Sequence, residues 1–258
     1  ETASWLDVFN LSDEELANHI VTDRIDILIH TAGHTAGSRL KAMSLKPAPI
    51  QISWPGYIET TGVSAIDYMI GDHYITPLGC EDLYSEKILR LPDNIVCVDT
   101  PTYDITVGTL PALQNGCMTF GCFNNPVKIN SEVISAWSKV LDALPTSKLV
   151  LKYRGITSAT NRERILLEFT NNRIDPERIE LEGYSPNLED LYRRYNDIDI
   201  AFDCFPFSGG ATTYDALWMG VPVITLPGQR PSSRLSLSRI ENVGLQEFIA
   251  HDASDFVA

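Results

Sequence analysis

The sequence predicts an α/β protein built on parallel sheets, and three observations carry that expectation. Strand-period and helix-period segments alternate along the chain from residue 12 onward. Parallel neighbours need helical crossovers, so the regular alternation after residue 116 implies a sheet covered by helices on both faces. With 258 residues, 44% of them hydrophobic, the chain is long enough for one large core or two modest ones. The stretch DCFPFSGGATTYDALWMGVPVITLPG, residues 203–228, then sets a bare glycine-threonine turn between an apolar run and a new helical pattern. In an open parallel sheet that strand end is the ligand face.

The elements follow in order. Ser12 with Glu15 three residues on forms a capping box, so a helix runs from there to about Asp23. IDILIHT reads as a buried strand, GSRLKAMSL as a short helix, and APIQISW and AIDYMIGD as strands, with Pro47 and Pro49 marking the break after the helix. KILRLPDNIVCV closes this half. Residues 99–116, DTPTYDITVGTLPALQNG, mix proline and glycine with neither period and read as a linker. The lobes are therefore expected at 1–105 and 116–258. In the second, MTFGCFN, SKLVLKY, RIELEGY, IDIAFDC and VPVITLPG are strands. NSEVISAWSKVLDAL, capped by Asn130, ATNRERILLEFTNNR, NLEDLYRRYN, TTYDALWMG and SSRLSLSRIENVG are the helices between and after them. This lobe reads as Rossmann-like and complete. The first has too few strand-helix pairs and reads as truncated.

Charge and cysteine usage exclude several classes. Thirty-four acidic against 20 basic residues give a net charge of -14, which repels nucleic acid and anionic membranes. Five cysteines without CxxC spacing indicate neither a disulfide framework nor a zinc site, and fit reduced thiols in the cytoplasm. No apolar run reaches the roughly 20 residues of a membrane span, and the opening residues have no signal-peptide pattern.

The turn suits an anion. Gly209 and Gly210 let a ligand approach the backbone, and the helix beginning at Ala211 offers N–H groups with no internal partner plus the positive end of its dipole. Thr212 and Thr213 add hydroxyls on the first turn, and Asp215, a turn further on, suits sugar hydroxyls such as those of ribose. An ordinary strand-to-helix turn, with Thr212 capping the helix and Asp215 complementing its dipole, explains the same spacing. The pattern is not GxGxxG and follows a late strand, which argues against a dinucleotide oxidoreductase. The first strand of the second lobe leads instead into GCFNNPVKIN, which brings Lys128, with Asn124 and Asn125, to the same sheet edge.

These runs carry a resemblance. PAPIQISWPGYIETTG, DYMIGD and YSEK in the first half, with FNNPVKIN, AWSKVLDALP and SGGATTYDALWMGVPVITLPG in the second, closely resemble the catalytic region of the O-linked N-acetylglucosamine transferase and SPINDLY-like glycosyltransferases. The resemblance runs from residue 24 to the end. It implies a GT-B fold of two Rossmann-like lobes, the N-terminal one incomplete. It also implies inverting, metal-independent transfer of a sugar from a nucleotide diphosphate, UDP-N-acetylglucosamine, to a Ser or Thr hydroxyl of a protein. No cofactor is implied.

By the same resemblance Lys128 meets the diphosphate, with Asn125 beside it. Gly209, Gly210, Ala211, Thr212 and Thr213 hold the phosphates, Asp215 holds the ribose, and Tyr184, Ser185 and Arg194 frame the base. His34, Gly37, Pro55 and Gly56 line the donor-sugar side. Two departures leave the base open: Leu191, beside Tyr192, stands where animal members carry a histidine, and Gly210 stands where they carry another. The family's catalytic histidines and tetratricopeptide repeats precede the matched region, so the chain reads as an internal piece of a longer protein. A non-catalytic sugar-nucleotide-binding module and a GT-B sugar-nucleotide epimerase are the alternatives.

Other candidates have plainer readings. His30 and His34 sit at a strand end and turn, where i, i+4 spacing does not align two metal ligands. The acid pairs Asp197 with Asp199 and Glu189 with Asp190 suggest a glycosidase only if they flank one bond. Tyr192, Tyr195 and Tyr214 read as packing residues with bonded hydroxyls, and Ser232, Ser233 and Arg234 as the start of the last helix.

Overall fold

A computed structural model of the chain describes residues 4–99 and 101–258. They divide into two compact units, the first ending at Val98 and the second beginning at Asp99.

The first unit carries four parallel strands in the order β1-β2-β3-β4: β1 Ile27–His30, β2 Ile50–Ser53, β3 Tyr68–Asp72 and β4 Lys87–Leu91. Helix α1, Asp13–Thr22, begins at the Ser12–Glu15 capping box, and both reciprocal bonds are made. Helix α2, Leu40–Ser44, crosses between β1 and β2. Its Met43 carbonyl accepts the buried Gln51 amide at 2.9 Å. The opposite face of the sheet leaves Ile27, Ile29, Ile50 and Leu89 exposed.

Two of the family-like runs in this unit turn out to be structural. Buried Glu86 of YSEK accepts Thr60 Oγ1 at 2.8 Å and the Thr61 N–H at 2.7 Å, pinning the ETTG turn. Asp67 of DYMIGD accepts the Gln51 N–H at 2.7 Å and pairs with Lys46 at 2.5 Å.

The second unit holds five parallel strands: β5 Thr119–Cys122, β6 Lys148–Lys152, β7 Ile179–Glu182, β8 Ile200–Phe202 and β9 Val223–Ile224. Their order, β7-β6-β5-β8-β9, reverses direction between β5 and β8. That reversal is a topological switch point, where the loops after two adjacent strands turn apart and open a crevice. Helices α4 Ser131–Ala143, α5 Ala159–Asn171, α6 Leu188–Tyr195, α7 Ala211–Trp218 and α8 Leu235–Asn242 connect and follow the strands. Asn130 caps α4 by accepting the Val133 N–H at 2.9 Å. The helix then buries Val133, Ile134, Trp137, Val140 and Leu141, a spacing that keeps one stripe on the sheet. Trp137 stacks on Phe202 of β8, whose other neighbours are Phe120 and Phe256.

The segment expected to be a linker packs on this second unit. Asn196 accepts the Gly108 N–H at 2.8 Å and donates to the Thr106 carbonyl at 3.1 Å, while buried Asp199 accepts the Ala112 and Thr119 N–H groups, each at 2.8 Å. Pro111–Asn115 forms a short helix, α3, that the mixed composition hides. Pro at its first turn and Gly116 in the left-handed region at its end are what let so short a helix start and stop.

Candidate functional site

The site is assembled from the two loops at the switch point. The loop after β8 runs from Asp203 to Gly210, and several of its backbone groups are taken up by side chains packed against it. Asn130 Nδ2 donates to the Phe205 carbonyl at 2.8 Å, and Lys128 Nζ to the Ser208 carbonyl at 2.8 Å. The Gly209 N–H donates to Asp203 Oδ1 at 2.6 Å. A Cβ on Gly209 would collide with Thr213 Oγ1 and come within 3.1 Å of both Asp203 Oδ1 and Thr212 Oγ1, so glycine is required by contact. The chain then enters α7 with Gly210 as N-cap and no side chain capping the helix. Ala211 is exposed and Thr212 half-buried, so the first turn of α7 keeps outward N–H groups and the positive dipole end.

The loop after β5 meets this turn. Pro126–Lys128 makes a single 3-10 turn, which swings the Lys128 side chain back over the Phe207 ring, 4.6 Å from its centroid. Buried Asn124 joins the two loops: its Oδ1 accepts Lys128 Nζ at 3.2 Å and Thr212 Oγ1 at 3.1 Å. Burial pushes the Lys128 amine below the usual lysine range, with Arg239 adding to that shift, while Asp203 and the thiols of Cys204 and Cys122 oppose it. The ammonium is therefore held among neutral acceptors at the mouth of an uncapped helix, an arrangement that favours an anion.

Further along α7, Asp215 accepts the Tyr192 hydroxyl at 2.9 Å. Burial raises its carboxyl above the usual range and the Tyr192 bond opposes the rise. Tyr192 is itself pushed up to about 12, by burial and then by Asp215. Tyr195 donates to the Thr212 carbonyl at 3.2 Å and packs on Phe123. Next to this first turn lies a cavity of about 230 Å³, lined among others by Phe123, Arg154, Tyr184, Ser185, Leu191 and Thr212. Thr212 belongs to both, so the anion-binding turn and the cavity are continuous.

The structure thus brings Lys128, Gly210, Ala211, Thr212, Tyr184 and Ser185 together, with Asp215 on the same helix. It reassigns four others. Asn125 accepts the Val127 N–H at 3.1 Å and caps the 3-10 turn, so the bridging amide belongs to Asn124. Arg194 does not reach the cavity: it is committed to Glu182 at 2.6 Å, Asp197 at 2.9 Å and Glu180 at 3.3 Å. Thr213 is buried and its hydroxyl meets Ser236 Oγ at 2.8 Å, facing the core. Gly209 is buried too, and its N–H is spent on Asp203. Arg234 is the N-cap residue of α8 but makes no side-chain capping bond, and the Leu235 N–H goes to Ser208 Oγ at 3.0 Å.

The acid pairs are likewise engaged, Asp199 by two backbone N–H groups, Asp197 by Arg194, Glu189 by Arg193 and Asp190 by Asn187. In the first unit, His34, Gly37, Pro55 and Gly56 lie on the loops after β1 and β2. Exposed His34 meets the Thr61 carbonyl at 2.8 Å and stands edge-on to Tyr57. Gly37 is left-handed at φ 77°, and Gly56 lies against the Thr31 carbonyl. Sequence reasoning passed over Asp203 and Ser208. Their only signal was position, directly after a strand expected to end at the ligand face.

A four-stranded parallel unit and a Rossmann-like five-stranded unit with an uncapped helix at its switch point define the GT-B class of glycosyltransferase folds. The chain belongs to glycosyl transferase family 41, whose model matches residues 1–103 and 100–258. It is 34% identical over 253 residues to the probable UDP-N-acetylglucosamine-peptide N-acetylglucosaminyltransferase SPINDLY of Petunia hybrida, covering 98% of this chain and 27% of that protein. It is 31% identical to the probable transferase SEC of Arabidopsis thaliana, covering 95% of this chain and 26% of that protein. The chain thus spans about a quarter of the length of these relatives. Its structure resembles that of a mutant O-GlcNAc transferase of Thermobaculum terrenum, with a TM-score of 0.93 and 38% identity over 99% of this chain and 48% of that one. The lipopolysaccharide outer core galactosyltransferase WaaB shares the fold at a TM-score of 0.55 and 12% identity, over 95% of this chain and 73% of that one. No helix among the described residues is long and apolar enough to cross a membrane.

Proposed function

We propose that this chain is the donor-binding and transfer region of an inverting glycosyltransferase that moves N-acetylglucosamine from UDP to a Ser or Thr hydroxyl of a protein. The observation that carries the reading is the meeting of Lys128 Nζ and Thr212 Oγ1 on Asn124 Oδ1 at the uncapped start of α7. The names of the relatives supply the donor and the peptide acceptor.

In a single displacement the acceptor oxygen bonds to the anomeric carbon while the bond from that carbon to the β-phosphate oxygen breaks. The electron pair leaves with the diphosphate, and the hydroxyl proton passes to a base or to solvent. The charge growing on the leaving group is met by the Lys128 ammonium and by the backbone N–H groups of Ala211 and Thr212, so the step calls for no metal. Groups fixed before reaction stabilise that charge without reorganising, which is where such sites gain most. Asp215 offers its carboxylate to the ribose hydroxyls, and the cavity beside Tyr184 and Leu191 takes the base.

Isothermal titration of the chain with UDP, UDP-N-acetylglucosamine and GDP, beside transfer to a Ser/Thr peptide with and without EDTA, tests this. UDP should bind, transfer should survive EDTA, and the transferred sugar should be β-linked. Absence of diphosphate binding, or retention of the anomeric configuration, would overturn it.

A further inference from the structure

We infer that Asp203 is the positioning residue of this diphosphate site: its buried carboxylate holds the glycine turn so that the next N–H groups point outward. The inference rests on the reading of that turn as a diphosphate site.

Asp203 follows β8 directly and is 1% exposed, so it touches no ligand. Its Oδ1 accepts the N–H of Gly209 at 2.6 Å and of Cys204 at 2.8 Å, and its Oδ2 accepts Thr225 Oγ1 at 2.7 Å. Its own N–H donates to the Ile224 carbonyl at 2.9 Å, tying it to β9 as well. One buried carboxylate thus fixes both ends of the loop 203–210 and, through Gly209, the direction in which Gly210, Ala211 and Thr212 present their backbone.

The carboxylate is accounted for by the donors that converge on it. Gly209, Cys204 and Thr225 each donate to it, and Ser236 adds a further side-chain bond. Burial raises the Asp203 carboxyl above the usual range, and these bonds oppose the rise. An amide in its place would offer one acceptor oxygen instead of two. Ser236 also donates to the Gly209 carbonyl at 3.3 Å, so Asp203 and Ser236 together hold the peptides on both sides of Gly209.

The test compares the chain with D203N and T225V, using UDP and uridine as probes by titration and ligand-observed NMR. D203N removes one of the two acceptor oxygens, and T225V removes one donor to them while keeping the shape of the side chain. D203N should bind UDP about tenfold or more weakly and T225V less so, both with uridine affinity unchanged, because the turn serves the diphosphate and the cavity serves the base. A D203N protein that binds UDP like the unsubstituted chain, or loses uridine in proportion, overturns the inference. If D203N does not fold, T225V with unaltered UDP affinity overturns it instead. An unsubstituted chain that binds UDP no better than uridine brings down the diphosphate reading itself, which is a different result.

Discussion

Lys128 and Thr212 donate to the same atom, Asn124 Oδ1, at 3.2 and 3.1 Å, although they arrive on loops from different strands and Asn124 and Thr212 are 88 residues apart. The convergence follows from sheet order. β5 and β8 are neighbours at the switch point, so the loops leaving their ends must meet. A cation and a helix N-terminus brought together this way act as one anion site. Lys128→Ala should therefore lower turnover about a hundredfold or more and weaken UDP binding while leaving the melting temperature nearly unchanged. Single-turnover kinetics and calorimetry check this; an unaltered rate would remove the ammonium from the chemistry.

The same lysine sets an alkaline limit. Burial lowers its pKa below the ordinary 10.5, so it loses its proton at lower pH than a free lysine does. The binding form is the protonated one, hence UDP affinity is full at neutral pH and falls as pH rises through that depressed value. A bound diphosphate pulls the value back up, and the limb measured on the complex should lie at higher pH than the limb of the free protein. Titrations in buffers of different ionisation enthalpy would show proton uptake on binding in that range; no uptake would contradict it.

Adjacent asparagines should separate cleanly. Asn124→Ala removes the shared acceptor of Lys128 and Thr212 and should weaken UDP about tenfold. Asn125→Ala removes a cap on the 3-10 turn and should cost about 1 kcal/mol of stability with UDP affinity intact. Denaturant melts and titrations on both variants would reveal a reversal of these roles.

Gly209→Ala tests the packing beneath the turn. The added methyl meets Thr213 Oγ1, Thr212 Oγ1 and Asp203 Oδ1, so either the turn shifts or the core does. Overpacking of this kind costs about 1–3 kcal/mol, and the displaced N–H groups should lose UDP affinity. Gly210 has open space around its Cβ position, so Gly210→Ala should be milder in both measurements. Equal effects at the two positions would argue against this geometry.

Much of this architecture was legible in the sequence because it depends on local patterns. The capping box at Ser12, the Asn130 cap, the apolar stripe of α4 and the alternation of periods each leave a mark within a few residues of chain. The glycine-threonine turn was legible for the same reason. What stayed hidden depends on partners distant in sequence. The partner that separates Asn124 from Asn125 is Thr212, 88 residues further along the chain. Thr213 and Thr212 are adjacent on one helix, and only Ser236 reveals which of them faces the core. The first sheet's open face was invisible because its apolar residues follow a strand period whether or not a helix covers them.

Arg194 shows how a residue near the site can belong to the scaffold. It holds the end of β7 to α6 through Glu182, Glu180 and Asp197, and Lys152 adds a second cation to Glu182 at 3.1 Å. Burial alone would raise the Glu182 carboxyl, but Arg194, Glu180 and Lys152 together hold it down to about 2. A carboxylate with a depressed folded pKa contributes stability above its unfolded value, here 4.5, and that contribution fades as pH falls toward 2. Arg194→Ala should therefore cost about 2 kcal/mol at neutral pH and flatten the loss of stability as pH falls from 4.5 to about 2. Gly183 and Tyr184 follow Glu182 directly, so the cavity wall should loosen slightly while UDP affinity changes by less than about threefold. Denaturant melts across that pH range and a UDP titration measure both effects. Lost nucleotide binding with unaltered stability would return Arg194 to the ligand.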